Sequence, residues 1–212
     1  KSFSPVKYVN PFIGTTNDGN TYPGAVVPWG MVSVSPHNTY IKPSGYVFGE
    51  KYFYGFGHVH LSGVGCNELG CVLITAVSSD TVYEPEIYKT VYSDEKVSAG
   101  YYSMYLNSLK IKAEATSSTR CGLLKFTPEQ GGVLKILLDA GRNLRYTGGG
   151  SINIISDTEI EGYVISGGFC GDVNTEKVYF YTKFDKPFTS AVIRKNGTAI
   201  EKNYAETIDT SL

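Results

Sequence analysis

Hydrophobic and polar positions alternate along this chain in short runs, and the runs predict strands. Cys71 to Val77 is a continuous apolar stretch, short enough for a strand buried on both faces. Val26 to Ser35 is β-branched but interrupted by Pro28, which predicts an edge or bulged strand. Gly100–Leu106 and Leu109–Thr116 read as a hairpin with Asn107-Ser108 at its turn. Arg120–Thr127 and Val133–Leu138 read as a second pair, joined through Pro128-Glu-Gln-Gly-Gly132. Ile152–Ile155, Glu159–Ile165 and Lys177–Phe184 continue the series. Thr189–Arg194 and Thr198–Lys202 flank Asn196-Gly197, a pair of residues that favours a tight hairpin turn. Arg142–Ser151, with three successive glycines, reads as a hairpin loop inside one domain. Ile200–Leu212 reads as a strand followed by polar residues, without a final core element. No segment keeps a helical period over ten residues. The expectation is an all-β, antiparallel β-sandwich with little helix.

Composition sharpens this picture. Of 212 residues, 17 are tyrosine and 24 are glycine, and only 18% are charged. Tyrosine forms strands and carries a polar tip, so aromatic-lined surfaces suited to sugars are expected. The formal net charge of −1 and the lack of a Lys/Arg cluster argue against nucleic acid. No apolar run is long enough for a membrane span. Four cysteines do not make a disulfide framework, and spacing leaves the pairing of Cys66, Cys71, Cys121 and Cys170 open.

The unusual chemistry is concentrated early. All three histidines, the lone Trp29 and two cysteines lie between Val9 and Cys71, among loops rich in glycine and proline. His58 and His60, two apart on a strand, would share one face. With Cys66 they are a weak zinc pattern and a better set of hydrogen-bonding groups. Trp29 is read either as core packing or as a platform for a sugar ring. Ser62 lacks the flanking glycine of a nucleophile elbow, because His60 stands there. Asn17-Asp-Gly-Asn20 lacks the remaining positions of a calcium loop and reads as a turn. Glu84/Glu86 and Asp157/Glu159/Glu161 read as solvated faces rather than an acid/base pair. The expected site gathers Asn20, Tyr22, Trp29, His58, His60, Ser62 and Cys66 at one end of the sandwich. Gly24, Gly63 and Gly65 would shape its loops.

Val9-Asn-Pro-Phe-Ile-Gly-Thr15, Gly19-Asn-Thr-Tyr-Pro-Gly-Ala25, Val27-Pro-Trp-Gly-Met31, Ser35-Pro36, Tyr54-Gly-Phe-Gly-His-Val-His-Leu-Ser-Gly-Val-Gly-Cys66 and Leu69-Gly70 carry a resemblance. Together with Ala99-Gly-Tyr-Tyr102, Ser156-Asp-Thr-Glu-Ile-Glu-Gly-Tyr163 and Phe169-Cys-Gly171, they resemble the amino-terminal domain of family 92 glycoside hydrolases. The resemblance implies a galactose-mutarotase-like sandwich from an inverting, calcium-dependent exo-α-mannosidase, periplasmic or secreted in a bacterium. It implies a glycan rich in mannose as substrate. It places the acid, the base and most calcium contacts in a second, helical-barrel domain absent from residues 1–212, so this chain alone is expected to be inactive. The face meeting that domain would be apolar and aromatic, able to drive self-association when bare. The alternative is a non-catalytic carbohydrate-binding or scaffolding module. Two features depart from the family: Asn17-Asp-Gly-Asn20 where histidine is frequent, and Phe56-Gly57-His58 where Phe-Ser-His is common.

Overall fold

A computed structural model describes residues 3–79, 84–145 and 148–208. Every strand pairing in it is antiparallel. One five-stranded sheet runs in the order Ala25–Val26, Ser33–His37, Gly55–Gly57, Leu73–Val77, Lys135–Asp139. A second runs Gly122–Pro128, Ile111–Ser117, Tyr101–Leu106, Thr90–Ser98, Tyr52–Phe53. The two sheets close on one core. Val34, Phe56 and Ala76 of the first meet Phe53, Tyr102, Met104, Ile111, Ala113 and Ala115 of the second. Alternation does the sorting: Ile111, Ala113 and Ala115 are buried while Lys112 between them is exposed. The molecule is an all-β sandwich, as the sequence pattern predicts.

Leu73–Val77 is buried throughout. Ala76 faces the inter-sheet core, and Leu73 and Val77 face a cluster with Tyr54 and Tyr88. Burial on both faces is why this run is continuously apolar rather than alternating. Tyr88 comes from Pro85–Tyr88, one of three short helical turns among the described residues. A third sheet, Thr175–Lys183, Glu159–Gly167, Gly149–Ile154, Tyr204–Ile208, packs Val164, Ile152, Val178 and Phe180 on Cys71, Val72 and Ala140.

Four expectations change. Arg120–Thr127 and Val133–Leu138 do not pair. Gly122–Pro128 joins Ile111–Ser117, and Lys135–Asp139 joins Leu73–Val77. Pro128–Gly132 therefore carries the chain between sheets. Val26–Ser35 is not one strand, because a turn at Val27–Gly30 breaks it into Ala25–Val26 and Ser33–His37, which pair with each other. The triple-glycine stretch is no hairpin loop. Gly149 and Gly150 open a strand, and a Cβ on Gly150 would lie 2.0 Å from the Ala140 carbonyl oxygen. Part of that stretch, residues 146–147, lies outside the described residues. Finally, Tyr204–Ile208 adds an edge strand against Gly149–Ile154. The Asn196-Gly197 turn forms as expected, with φ of 48° and 80° between Ile193–Lys195 and Thr198–Ile200.

Candidate functional site

The loops of the early window meet at two places. The Gly63 amide donates to the Asn20 carbonyl at 2.8 Å, joining the 19–22 loop to the 61–65 loop. The Tyr22 ring packs on His60 with centroids 5.2 Å apart. Asn20 is at φ 51°, and its side-chain carbonyl oxygen is buried without a hydrogen-bond partner. Ser62 is exposed at the tip of the second loop. Gly63 needs its φ of +73°, and Gly24 needs its missing Cβ, which would fall 2.5 Å from the Ser35 Cα. Gly65 sits in open space, and nothing in its geometry requires glycine.

His58 and His60 do not act as one face. The pairing of Val59–His60 with Leu69–Cys71 shifts register between the two residues, a bulge that redirects the side chains. His58 Nδ1 bonds the Val72 carbonyl at 2.7 Å, and its ring lies where a Gly122 Cβ would be. His60 turns to the strand Ser33–His37. Its Nδ1 lies 2.9 Å from the Ser33 carbonyl oxygen, and its Nε2 lies 2.7 Å from His37 Nε2. Both His60 ring nitrogens are therefore engaged within the protein. That geometry supports bracing of the Tyr22 loop over direct contact with a ligand. Burial lowers the pKa of all three histidines, His60 to about 4.

Their titration makes a prediction. A histidine whose pKa is depressed by folding binds fewer protons in the native state than in the unfolded chain below pH 6.5. Stability contributed by these groups is complete above about pH 6.5 and is lost as the pH falls through their lowered pKa values, for His60 toward about 4. The unfolding free energy, and with it the urea midpoint, is expected to fall steadily between about pH 7 and about pH 5, by up to about 1.4 kcal/mol per pH unit per histidine in free energy. A flat midpoint across that range contradicts the burial argument.

His37 is the residue that sequence reasoning missed. It is fully buried, and three glycines enclose its ring. A Cβ on Gly57 would lie 2.6 Å from His37 Nε2, on Gly70 2.8 Å from Cε1, and on Gly45 2.9 Å from Cδ2. Any side chain at position 57 would collide with the imidazole, which accounts for glycine there.

Cys66 pairs with Cys170, which closes the choice left open by the sequence. Cys71 is buried and Cys121 exposed, both as free thiols. The disulfide ties the 61–66 loop to the turn Phe169–Gly171 and occupies the sulfur that a metal site would use. Among the described residues no group of three or more His, Cys, Asp or Glu is placed to hold a metal ion. The Asn17–Asn20 turn is held instead by Lys42, whose Nζ lies 3.1 Å from Asp18 Oδ1 and 3.0 Å from the Asn17 carbonyl. Glu84, Glu86, Glu159 and Glu161 of the other acidic groups are tied as well, Glu161 by the Asn153 amide at 3.0 Å. Glu84 meets Arg142 at 2.9 Å, Glu86 pairs with Lys89, and Glu159 meets Lys183 at 3.1 Å.

Trp29 departs furthest from a packing role. Gly30 N–H bonds the Val27 carbonyl at 2.9 Å, so Val27-Pro28-Trp29-Gly30 is a turn with proline second and Trp29 third. Trp29 has φ 61°, a left-handed position where such turns place glycine or asparagine. For a bulky side chain this costs about 1–2 kcal/mol. Core packing does not compensate, because the residue is 98% exposed. The described contacts do not link Trp29 to the Tyr22–His60 pair. Two residues further on, Met31 helps line a groove of about 370 Å³ with Val32, Val59, Arg120, Val178 and Tyr179.

Fold and site together define a β-sandwich domain that presents aromatic and hydroxyl groups on glycine-shaped loops. Residues 8–210 match the glycosyl hydrolase family 92 N-terminal domain, and the chain belongs to that family. It is similar to a family GH92 alpha-mannosidase of Bacteroides thetaiotaomicron solved with mannoimidazole, at 29% identity and TM-score 0.86. That match covers 95% of this chain and 29% of the other. A family GH92 inverting mannosidase of the same organism shares the fold at 21% identity and TM-score 0.80, over 98% of this chain and 29% of its own. A protein of Arthroderma benhamiae named as an uncharacterized secreted glycosidase is 28% identical over 152 residues, 63% of this chain and 19% of its own. The chain thus spans less than a third of the length of these relatives. No helix among the described residues is long and apolar enough to cross a membrane.

Proposed function

We propose that this chain is the sandwich domain of a secreted or periplasmic exo-α-mannosidase that acts with inversion on mannose-rich glycans. The observation that carries the reading is Trp29, an indole held fully exposed in a strained turn. Strain without packing compensation marks a side chain kept for a ligand or partner. A mannose ring offers an apolar C–H face to such a platform, and its hydroxyls need groups such as Asn20, Tyr22 and Ser62 at the rim. The family relation and the alpha-mannosidase names of its relatives supply the sugar.

This chain's residues bind and orient; they do not break the bond. The acidic candidates Glu84, Glu86 and Glu159 are held by Arg142, Lys89 and Lys183, and the family relation leads us to assign the acid and the base to a second domain. In an inverting displacement those two carboxyls stand about 6.5–9.5 Å apart, leaving room for the attacking water. Calcium is assigned to that second domain too, as the resemblance to the family implies. The groove lined by Met31, Val178 and Tyr179 would form part of the face packing on that domain, and the same face would drive self-association of the isolated chain. The Cys66–Cys170 bridge supports maturation in an oxidising compartment.

The test is hydrolysis by the product of the full open reading frame. The proposal predicts mannose released from an α-mannoside first as the β-anomer, with activity lost when calcium is chelated. The 212-residue chain alone should show no turnover. Release of the α-anomer, or turnover by the chain alone, contradicts it. Binding of mannosides without cleavage would make the protein a carbohydrate-binding module instead.

A further inference from the structure

We infer that His37 is a positioning residue for the candidate sugar rim, acting through His60 on the Tyr22 loop. The inference rests on the reading of that rim given above. The Ser33 carbonyl can only accept, so the 2.9 Å contact requires a proton on His60 Nδ1. A neutral imidazole carries one N–H, which leaves His60 Nε2 as an acceptor. The 2.7 Å contact then requires His37 Nε2–H as donor. His37 Nδ1 is left as a bare lone pair, and it is indeed buried with no partner. Each proton in the relay is fixed by the step before it.

The relay sets the angle of the His60 ring from both ends. The His60 main-chain N–H adds a third tie, to Ser33 Oγ at 2.9 Å. Tyr22 packs on the ring so fixed, and two residues before it the Asn20 carbonyl holds the Gly63 amide. Movement of His37 would therefore reach both loops of the rim. His37 itself has little freedom, because Gly45, Gly57 and Gly70 close around it and Tyr40 stands edge-on at 6.1 Å. The ionisable neighbours of the pair are His58, Tyr40 and Tyr22. A plain core residue would not need this arrangement. An apolar side chain would fill the socket without leaving a bare buried nitrogen, at a desolvation cost that packing alone does not explain.

Two measurements test the inference. Long-range ¹H–¹⁵N spectra of the chain should show His60 protonated at Nδ1 and bare at Nε2, and His37 the reverse, unchanged between about pH 8 and about pH 6. The opposite tautomers, or a charged pair, overturn it. The second measurement compares His37→Gln, which keeps an N–H able to reach His60 Nε2, with His37→Phe, which keeps a ring without it. The Tyr22–His60 nuclear Overhauser contact should survive in the Gln variant and be lost in the Phe variant. In the full-length protein, His37→Phe should raise KM for an α-mannoside about tenfold with kcat within about twofold, and His37→Gln should restore KM. Equal behaviour of the two variants overturns the inference. If the Phe variant does not fold, the Gln variant decides, because loss of the Tyr22 contact there is equally fatal. If the full-length protein cleaves no mannoside, the functional reading fails, while the tautomers and the Tyr22 contact still answer for His37.

Discussion

Gly70→Ala is expected to destabilise the protein by about 2–5 kcal/mol, from about 1–2 for a left-handed backbone and about 1–3 for overpacking. Gly70 has φ +71°, and its absent Cβ would lie 2.4 Å from Leu144 Cγ and 2.8 Å from His37 Cε1. Neither neighbour can move away cheaply. Leu144 is 2% exposed, and its amide is bonded to the Leu69 carbonyl at 2.8 Å. His37 is held by His60. Gly63→Ala is the control, since it has the same sign of φ (+73°) but nothing within 4 Å of its Cβ. It should cost only the backbone share, about 1–2 kcal/mol. Urea denaturation of both variants separates the two contributions. Equal losses would mean that the histidine socket is looser than described.

Removal of the disulfide is the second large effect. Cys66 and Cys170 are 104 residues apart, and the bridge closes that span in the unfolded chain. On the chain-entropy account a loop of this size is worth up to about 4.7 kcal/mol. With about 2–4 °C per kcal/mol for a domain of this size, reduction or Cys66→Ser with Cys170→Ser should lower Tm by roughly 10 °C. Cys71 offers no relief by exchange, because burial pushes its thiol up to about 12 and keeps it protonated. Calorimetry with and without reductant measures the effect. An unchanged Tm would show that the bridge does not hold the native chain together.

Much of the fold was legible because it obeys local rules. Asn196-Gly197 supplies the two positive φ angles of a tight hairpin, and Leu73–Val77 has the length and continuity of a doubly buried strand. Ile111, Ala113 and Ala115 alternate with polar residues as a half-buried strand requires. Sheet membership was less legible. Gly122–Pro128 and Lys135–Asp139 are neighbours in sequence, and periodicity cannot say that each prefers a partner elsewhere. Ala25–Val26 and Ser33–His37 are separated by a turn whose third residue is an indole, which turn preferences would never place there. The region of the candidate site was visible from its density of rare residues. Its internal wiring was not. His37 meets His60 23 residues away and lies against glycines 8, 20 and 33 positions along the chain, contacts made only by the folded sheet. The register shift between Val59 and His60 likewise undid the expectation that His58 and His60 share a face.

The central claim is that Trp29 is exposed for a sugar rather than for the fold. Trp29→Gly in the full-length protein tests it most directly, with kcat/KM on an α-mannoside and Tm measured on the same sample. Glycine relieves the left-handed backbone and removes no buried contact, so Tm should hold or rise, by the equivalent of about 1 kcal/mol. Loss of the platform should lower kcat/KM by about 10–100-fold, the reach of one aromatic contact made to the bound sugar. A variant that is less stable, or one that cleaves the mannoside as well as the parent, would contradict the account.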